Sequence, residues 1–187
     1  MHQIGGDPSL EKIVSIDESI FLHDNLGRQI WVVGAIDPES KDIRLDVINK
    51  RNQTNLKTFV YNHIIPGTHV VHDGWSSYTF LDYDDSLYTQ EEHNHGADNF
   101  GHGLNSTSHI EGVWSWIKSK IKLLYRIIPY NHYIYFIKEC EFRFMLSQLN
   151  NKQKEKFFCK ILKYVYNLNS FNFYEGSEIL DFDNYDY

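Results

Sequence analysis

Between residues 12 and 47, three strand-like stretches follow one another with only short turn-forming segments between them, and this succession constrains the fold more than any other feature. Lys12-Ile13-Val14-Ser15-Ile16-Asp17-Glu18 is a short strand that drives into two acids. Gln29-Ile30-Trp31-Val32-Val33-Gly34-Ala35-Ile36 is almost continuously apolar, as a strand buried on both faces requires, and Ile43-Arg44-Leu45-Asp46-Val47 completes the set. Asp24-Asn25-Leu26-Gly27 and Asp37-Pro38-Glu39-Ser40 supply the turns. Links this short join antiparallel neighbours, because a parallel crossover needs about a dozen residues or more.

After this meander the period changes. Leu56, Phe59, Val60 and His63 or Ile64 recur at helical spacing from Asn55 and stop before Pro66-Gly67. Thr68-His69-Val70-Val71-His72 is a strand ended by Asp73-Gly74, and Trp75 to Leu81 predicts a short helix. Glu91 to His109 is polar and histidine-rich, with glycines at 96, 101 and 103, and reads as an irregular loop of a length that often serves function. Ser108 is the expected N-cap of a helix from His109 to about Leu124, with Glu111 as its capping-box partner. Further helices are expected over 131–149 and 152–168, and the acidic tail from Asn169 shows no period, so its end is expected to be mobile.

With 187 residues and 42% hydrophobic side chains, the chain can bury one real core. Its two cysteines, Cys140 and Cys159, exclude a disulfide framework and point to a reducing intracellular setting. No apolar run is long enough for a bilayer span, and the start lacks a secretory pattern, so no membrane partner is expected. The net charge of −7 counts against nucleic acid only until it is mapped. Residues 1–110 carry 7 Lys+Arg against 16 Asp+Glu, residues 111–163 carry 11 against 4, and residues 164–187 carry none against 5. An acidic body with a basic helical segment suits an enzyme whose carboxylates hold metal while one face meets phosphate.

Three acids stand where such a fold would gather them: Asp17 ending strand one, Asp73 just past strand four, and Glu111 on the helix after the loop. If strands one and four are neighbours, the two aspartates lie side by side, and a helix packed across that end adds the glutamate. Mg²⁺ prefers a few carboxylate oxygens of this kind, and two such ions about 3.5–4 Å apart support phosphoryl transfer. Lys118 follows Glu111 by seven residues and shares its helix face, where it can grip a phosphate, while Lys120 and Lys122 continue the basic strip toward flanking DNA. Glu18 alternates away from Asp17 and is expected to be structural or to support the ligands from behind, not to be a fourth ligand. His95 is assigned a supporting role near DNA or the ions, and His72 and His109 an orienting one. A zinc site from His93, His95, His102 and His109 is disfavoured because no cysteine helps it. Trp31, Trp75, Trp114 and Trp116 are expected in the core, and the lysines from Lys152 to Lys163 on a solvated helix face.

These residues resemble the DDE transposases of the ISXO-like insertion-sequence group and their Merlin-type relatives. Ile16-Asp17-Glu18-Ser19 is similar to the family's I-D-E-S opening, Trp31-Val32-Val33-Gly34 to its W-V-x-G strand and Asp73-Gly74-Trp75-Ser76-Ser77-Tyr78 to its D-x-W-x-x-Y block. Asn94-His95 is similar to the N-H before its long loop, and Ile110-Glu111-Gly112-Val113-Trp114-Ser115 with Lys118 to its I-E-x-x-W-S-x-x-K helix. Glu139, Phe142 and Arg143 fit its closing E-F-x-F-R-x-N segment. The chain departs at Ser106-Thr107-Ser108, where the family often has H-T-N, at Cys140 for Phe and at Met145 for Asn.

The resemblance implies an α/β, ribonuclease-H-like fold: a mixed central sheet, three antiparallel strands followed by parallel ones, flanked by helices. It implies a short leader over 1–11, a catalytic domain over 12–150 and a C-terminal helix with acidic tail over 151–187. Asp17, Asp73 and Glu111 become the catalytic and metal-binding triad with Lys118 beside it, Mg²⁺ the cofactor as two ions with Mn²⁺ as a substitute, and DNA the partner of a homodimer or larger assembly. The setting is the cytoplasm of a bacterium or a eukaryotic nucleus. The family usually carries a DNA-recognition region ahead of this domain, whereas here Asp17 arrives almost at once. The alternatives are a domesticated derivative that binds without cutting and a structure-specific nuclease on the same fold.

Overall fold

The computed structural model describes residues 3–6, 12–23, 29–83, 87–93, 106–125, 128–166, 174–175 and 178–179. Strands β1 (Ile13–His23), β2 (Gln29–Ile36) and β3 (Ile43–Ile48) pair antiparallel in chain order, as their short links demand. The β2–β3 turn is held by Asp37, whose Oδ1 accepts the N–H groups of Glu39 and Ser40 at 2.8 and 3.1 Å. Helix α1 (Gln53–His63) begins before its apolar period because Asn52 caps it, accepting the Asn55 N–H at 3.0 Å.

The chain then returns as β4 (His69–His72), parallel to β1 with Ser15 opposite Val71. A 3₁₀ turn at Ser76–Tyr78 and the single-turn α2 (Phe80–Tyr83) replace the one short helix expected there. Strand β5 (Thr89–Glu92) lies parallel to β4 and corrects the sequence reading, which began its loop at Glu91. It is a sheet edge written in polar residues, so no apolar alternation marks it; instead His69 Nδ1 meets Thr89 Oγ1 and His72 Nε2 meets Gln90 Oε1, each at 2.8 Å. The resulting order β3-β2-β1-β4-β5, three antiparallel strands continued by two parallel ones, is the ribonuclease-H-like arrangement.

Helices α3 (Ser108–Leu124), α4 (Tyr133–Gln148) and α5 (Asn151–Tyr166) follow. Ser108 is not the N-cap of α3 but its first residue; Thr107 precedes it, and Ser106 Oγ accepts the Ser108 N–H at 3.1 Å. By its internal contacts the chain divides into two compact units, Met1–Met145 and Leu146–Tyr187. The second holds α5 and a two-rung antiparallel ladder between β6 (Tyr174–Glu175) and β7 (Glu178–Ile179), in a tail where no period was visible. The rest of that tail lies outside the described residues.

Strand alternation sorts the core of the first unit into two clusters. Val14, Ile16, Val33 and Ala35 pack with Leu56, Phe59 and Val60 of α1, whereas Ile30, Val32, Ile36 and Leu45 pack with Ile110, Val113 and Ile117 of α3 and Phe136 and Ile137 of α4. Each fully buried aliphatic contributes about 1.5–3 kcal/mol relative to exposure. The sheet is therefore clamped between helices, and its strand ends are rigid supports for whatever they carry. Among the described residues no helix is long and apolar enough to cross a membrane.

Candidate active site

Strand β1 runs on to His23, so Asp17 lies within the strand and not at its end as the sequence pattern predicts; the β1–β4 register carries Asp17 and Asp73 to the same level, two residues beyond the last paired rung, Ser15 and Val71. Oxygens of Asp17, Glu18 and Asp73 lie within 4.8 Å of one another. On the α3 side of the sheet, Trp114 Nε1 donates to Asp17 Oδ2 at 2.8 Å. Gly34, the residue opposite Asp17 on β2, makes this contact possible, since a Cβ there would stand 2.5 Å from the Trp114 ring and 2.7 Å from Leu45. Burial pushes the Asp17 carboxyl above the usual carboxylate range; the Trp114 hydrogen bond opposes the rise and the neighbouring Asp73 charge adds to it.

Asp73 is fixed through its own loop. Its Oδ1 accepts the Trp75 N–H at 3.0 Å, and His72 Nδ1 accepts the Gly74 N–H at 3.1 Å, with Gly74 at φ 74°. Accepting at Nδ1 places the His72 proton on Nε2, toward Gln90, and burial lowers the pKa of the imidazole, favouring this neutral form. His72 also stacks on the buried Tyr78 at 4.5 Å, so the backbone after β4 is held from both sides.

Glu18 departs from expectation. It does face the α1 side, opposite Asp17, but β4 ends at His72 and leaves this stretch of β1 without a neighbour on that edge, so the longer side chain reaches the aspartates. Its Oε1 and the Tyr78 hydroxyl are both buried without a hydrogen bond of standard geometry among the described residues, while a looser contact between the Tyr78 hydroxyl and the carboxylate works to lower the pKa of Glu18 and raise that of Tyr78. Burial pushes the Glu18 carboxyl up to about 7 against the pull of Arg51. Arg51 is the residue that the sequence reading missed: it reaches Asp73 Oδ2 at 2.9 Å and Glu18 Oε2 at 3.2 Å, and its guanidinium lies 4.1 Å from the Trp75 ring centroid and 5.7 Å from that of Trp31. Its signal was Lys50-Arg51, the single adjacent basic pair in an acidic stretch, placed at a strand end. Trp75 is 43% exposed and so is not a core residue, unlike Trp114.

Glu111 stands in the first turn of α3, exposed, accepting the Thr107 hydroxyl at 3.3 Å. It is not among the three clustered acids, but lies one turn before Trp114 on a helix that runs along β1: Ser15 Oγ donates to Ser106 O, Trp114 to Asp17, and Lys118 to Ser19 Oγ at 2.7 Å. Lys118 is therefore two residues along β1 from Asp17, with Phe21 beneath it. Lys120 lies over Trp116, and Lys122 is exposed in the last turn. His95 and His102 lie outside the described residues, and His93 and His109 join no metal-capable group among those described.

Hard divalent cations accept a donor set made only of carboxylate oxygens, and the buried Glu18 Oε1, with no hydrogen bond of standard geometry among the described residues, fits that chemistry beside two aspartates. Two solved structures are similar at low identity. The catalytic core of HTLV-2 integrase in complex with magnesium is 8% identical at a TM-score of 0.44, covering 70% of this chain and 82% of that one. The simian T-cell lymphotropic virus intasome in complex with PP2A regulatory subunit B56 gamma is 10% identical at 0.47, covering 70% of this chain and 47% of that one. No curated protein matches the chain. A family model described as the ISXO2-like transposase domain matches residues 23–145, which include Asp73, Glu111 and Lys118 and begin just after Asp17. That match spans more than half of the chain, which therefore belongs to the ISXO2-like transposase domain family.

Proposed function

We propose that this protein performs transposase-type phosphoryl transfer, hydrolysing a phosphodiester at a transposon end and joining the freed 3′-hydroxyl to target DNA. The reading is carried by the convergence of Asp17 and Glu18, within β1, and Asp73, just past the end of β4, in a chain of a transposase family. Asp17, Asp73 and Glu111 are the proposed ligands of Mg²⁺, two ions in all, with Mn²⁺ as a substitute. Such ions supply activation of the attacking oxygen and charge stabilisation at the leaving one.

The chain's own groups do the rest. The Trp114 N–H orients Asp17, the His72–Gly74 contact orients Asp73, and Arg51 offsets part of the charge that crowding the acids creates. Lys118 positions a phosphate beside Asp17, while Lys120, Lys122 and His95 meet flanking DNA. Residues 12–150 form the catalytic part in this reading, acting as a homodimer or larger assembly on paired ends. Alanine at Asp17, Asp73 or Glu111 is expected to abolish metal-dependent cleavage of end-bearing DNA, and cleavage retained by Asp73→Ala would overturn the assignment.

A further inference from the structure

Next to the acids, Gln29, Trp31, Asn49, Lys50, Arg51 and Trp75 line an open cavity of about 500 Å³. We propose that this cavity binds a single unpaired nucleotide of the reacting DNA, its base against the Trp75–Arg51 platform and its phosphate on Lys50. The inference rests on the transposase reading for its substrate, and adds a place for one nucleotide within it. The volume falls in the range of small-ligand pockets, about 300–1,000 Å³.

Each wall suits a nucleotide. Trp75 presents a 43% exposed indole, and the Arg51 guanidinium lies over its ring at 4.1 Å and, more loosely, over that of Trp31, so it backs the indole from one side. Ion pairs to Glu18 and Asp73 hold that guanidinium, so a base that stacks on the backed indole orders little further and loses less entropy. Gln29 and Asn49 bring amides that can read a base edge, with the Gln29 carbonyl already accepting from Trp31 Nε1 at 3.2 Å. Lys50 is exposed, and its side-chain ammonium has no hydrogen-bond or ion-pair partner among the described residues, which leaves its charge for a phosphate. A base within a duplex has both faces stacked and its pairing edge occupied, so the occupant must be extrahelical or single-stranded. Arg51 and the Trp75 backbone both touch Asp73, which sets this nucleotide beside the reacting phosphate.

The test uses the full chain and an end-bearing duplex with a short single-stranded overhang, 2-aminopurine being placed at each overhang position in turn. The fluorescence of one position is expected to be quenched on binding. Trp75→Ala should remove that quench and weaken overhang binding roughly five- to hundredfold, with blunt-duplex binding unchanged. Trp75→Phe should restore most of both, which a loss of folding would not permit. Overhang binding and quenching by Trp75→Ala equal to those of the parent, or equal losses on overhang and blunt DNA, would overturn the proposal. If the parent still performs Asp73-dependent strand transfer in that case, the nucleotide site alone has failed; if it does not, the transposase reading has failed with it.

Discussion

Gly34 lacks a side chain at the one place on β2 where Trp114 comes down to meet Asp17, and a single methyl there would compete with the contact that orients the acid. Gly34→Ala is expected to cost about 1–3 kcal/mol, as overpacked positions do, measured by urea denaturation. Trp114→Phe keeps an aromatic ring in the space but removes the N–H donor. It should leave the fold intact by circular dichroism and weaken Mn²⁺ binding severalfold in calorimetry; unchanged binding would mean that the hydrogen bond does not matter to the site. Asp17 and Asp73 stand out in the sequence because each follows an apolar strand pattern, although only Asp73 lies past a strand end, since β1 runs on to His23. Gly34 could not, since a close approach from a helix 80 residues away leaves no local trace. That Glu18 comes so close to the aspartates was not legible for a related reason: alternation assigns a face, but not how far a long side chain reaches past the end of a neighbouring strand.

At the scale of elements, Asp46 on β3 ties two helices to the sheet edge, bonding His63 of α1 at 2.6 Å and Lys138 of α4 at 2.9 Å. Burial alone would raise its pKa, but the hydrogen bonds and charge of these partners outweigh it and hold the carboxyl below its usual range. The unfolded chain then binds more protons than the folded one as pH drops below the usual aspartate value of about 4. The stabilisation is present above that value and is lost as pH falls through the folded pKa. Asp46→Asn should therefore be less stable than the parent at neutral pH, by no more than about 1 kcal/mol given solvent screening, and the difference should shrink below about pH 4. Denaturation curves at several pH values measure this. Strands β1 to β3 and helix α1 were readable because apolar period and turn chemistry agree there. The polar edge strand β5 was not, because its support comes from hydrogen bonds to β4 that only the assembled sheet supplies.

For the whole molecule, a net charge of −7 coexists with a DNA-directed reading because acids and bases occupy different stretches of the chain. Carboxylates gather where β4 ends beside the middle of β1, and Lys118, Lys120 and Lys122 follow one another along α3. DNA binding should weaken with salt, and alanine at Lys120 or Lys122 should each reduce the slope of log K against log salt by up to about 0.9. Slopes unchanged by both substitutions would move the DNA path off this helix. The order of strands and the family resemblance were readable from spaced motifs, whereas the Arg51 bridge to Asp73 and Glu18 was not, because it links side chains from three separate segments. The most direct measurement of the central claim is strand transfer with pre-cleaved ends in Mg²⁺ or Mn²⁺. The account predicts joined product from the parent, none without a divalent ion, and none from Asp17→Ala, Asp73→Ala or Glu111→Ala. Product that forms without a divalent ion, or that survives the loss of Asp73, would contradict it.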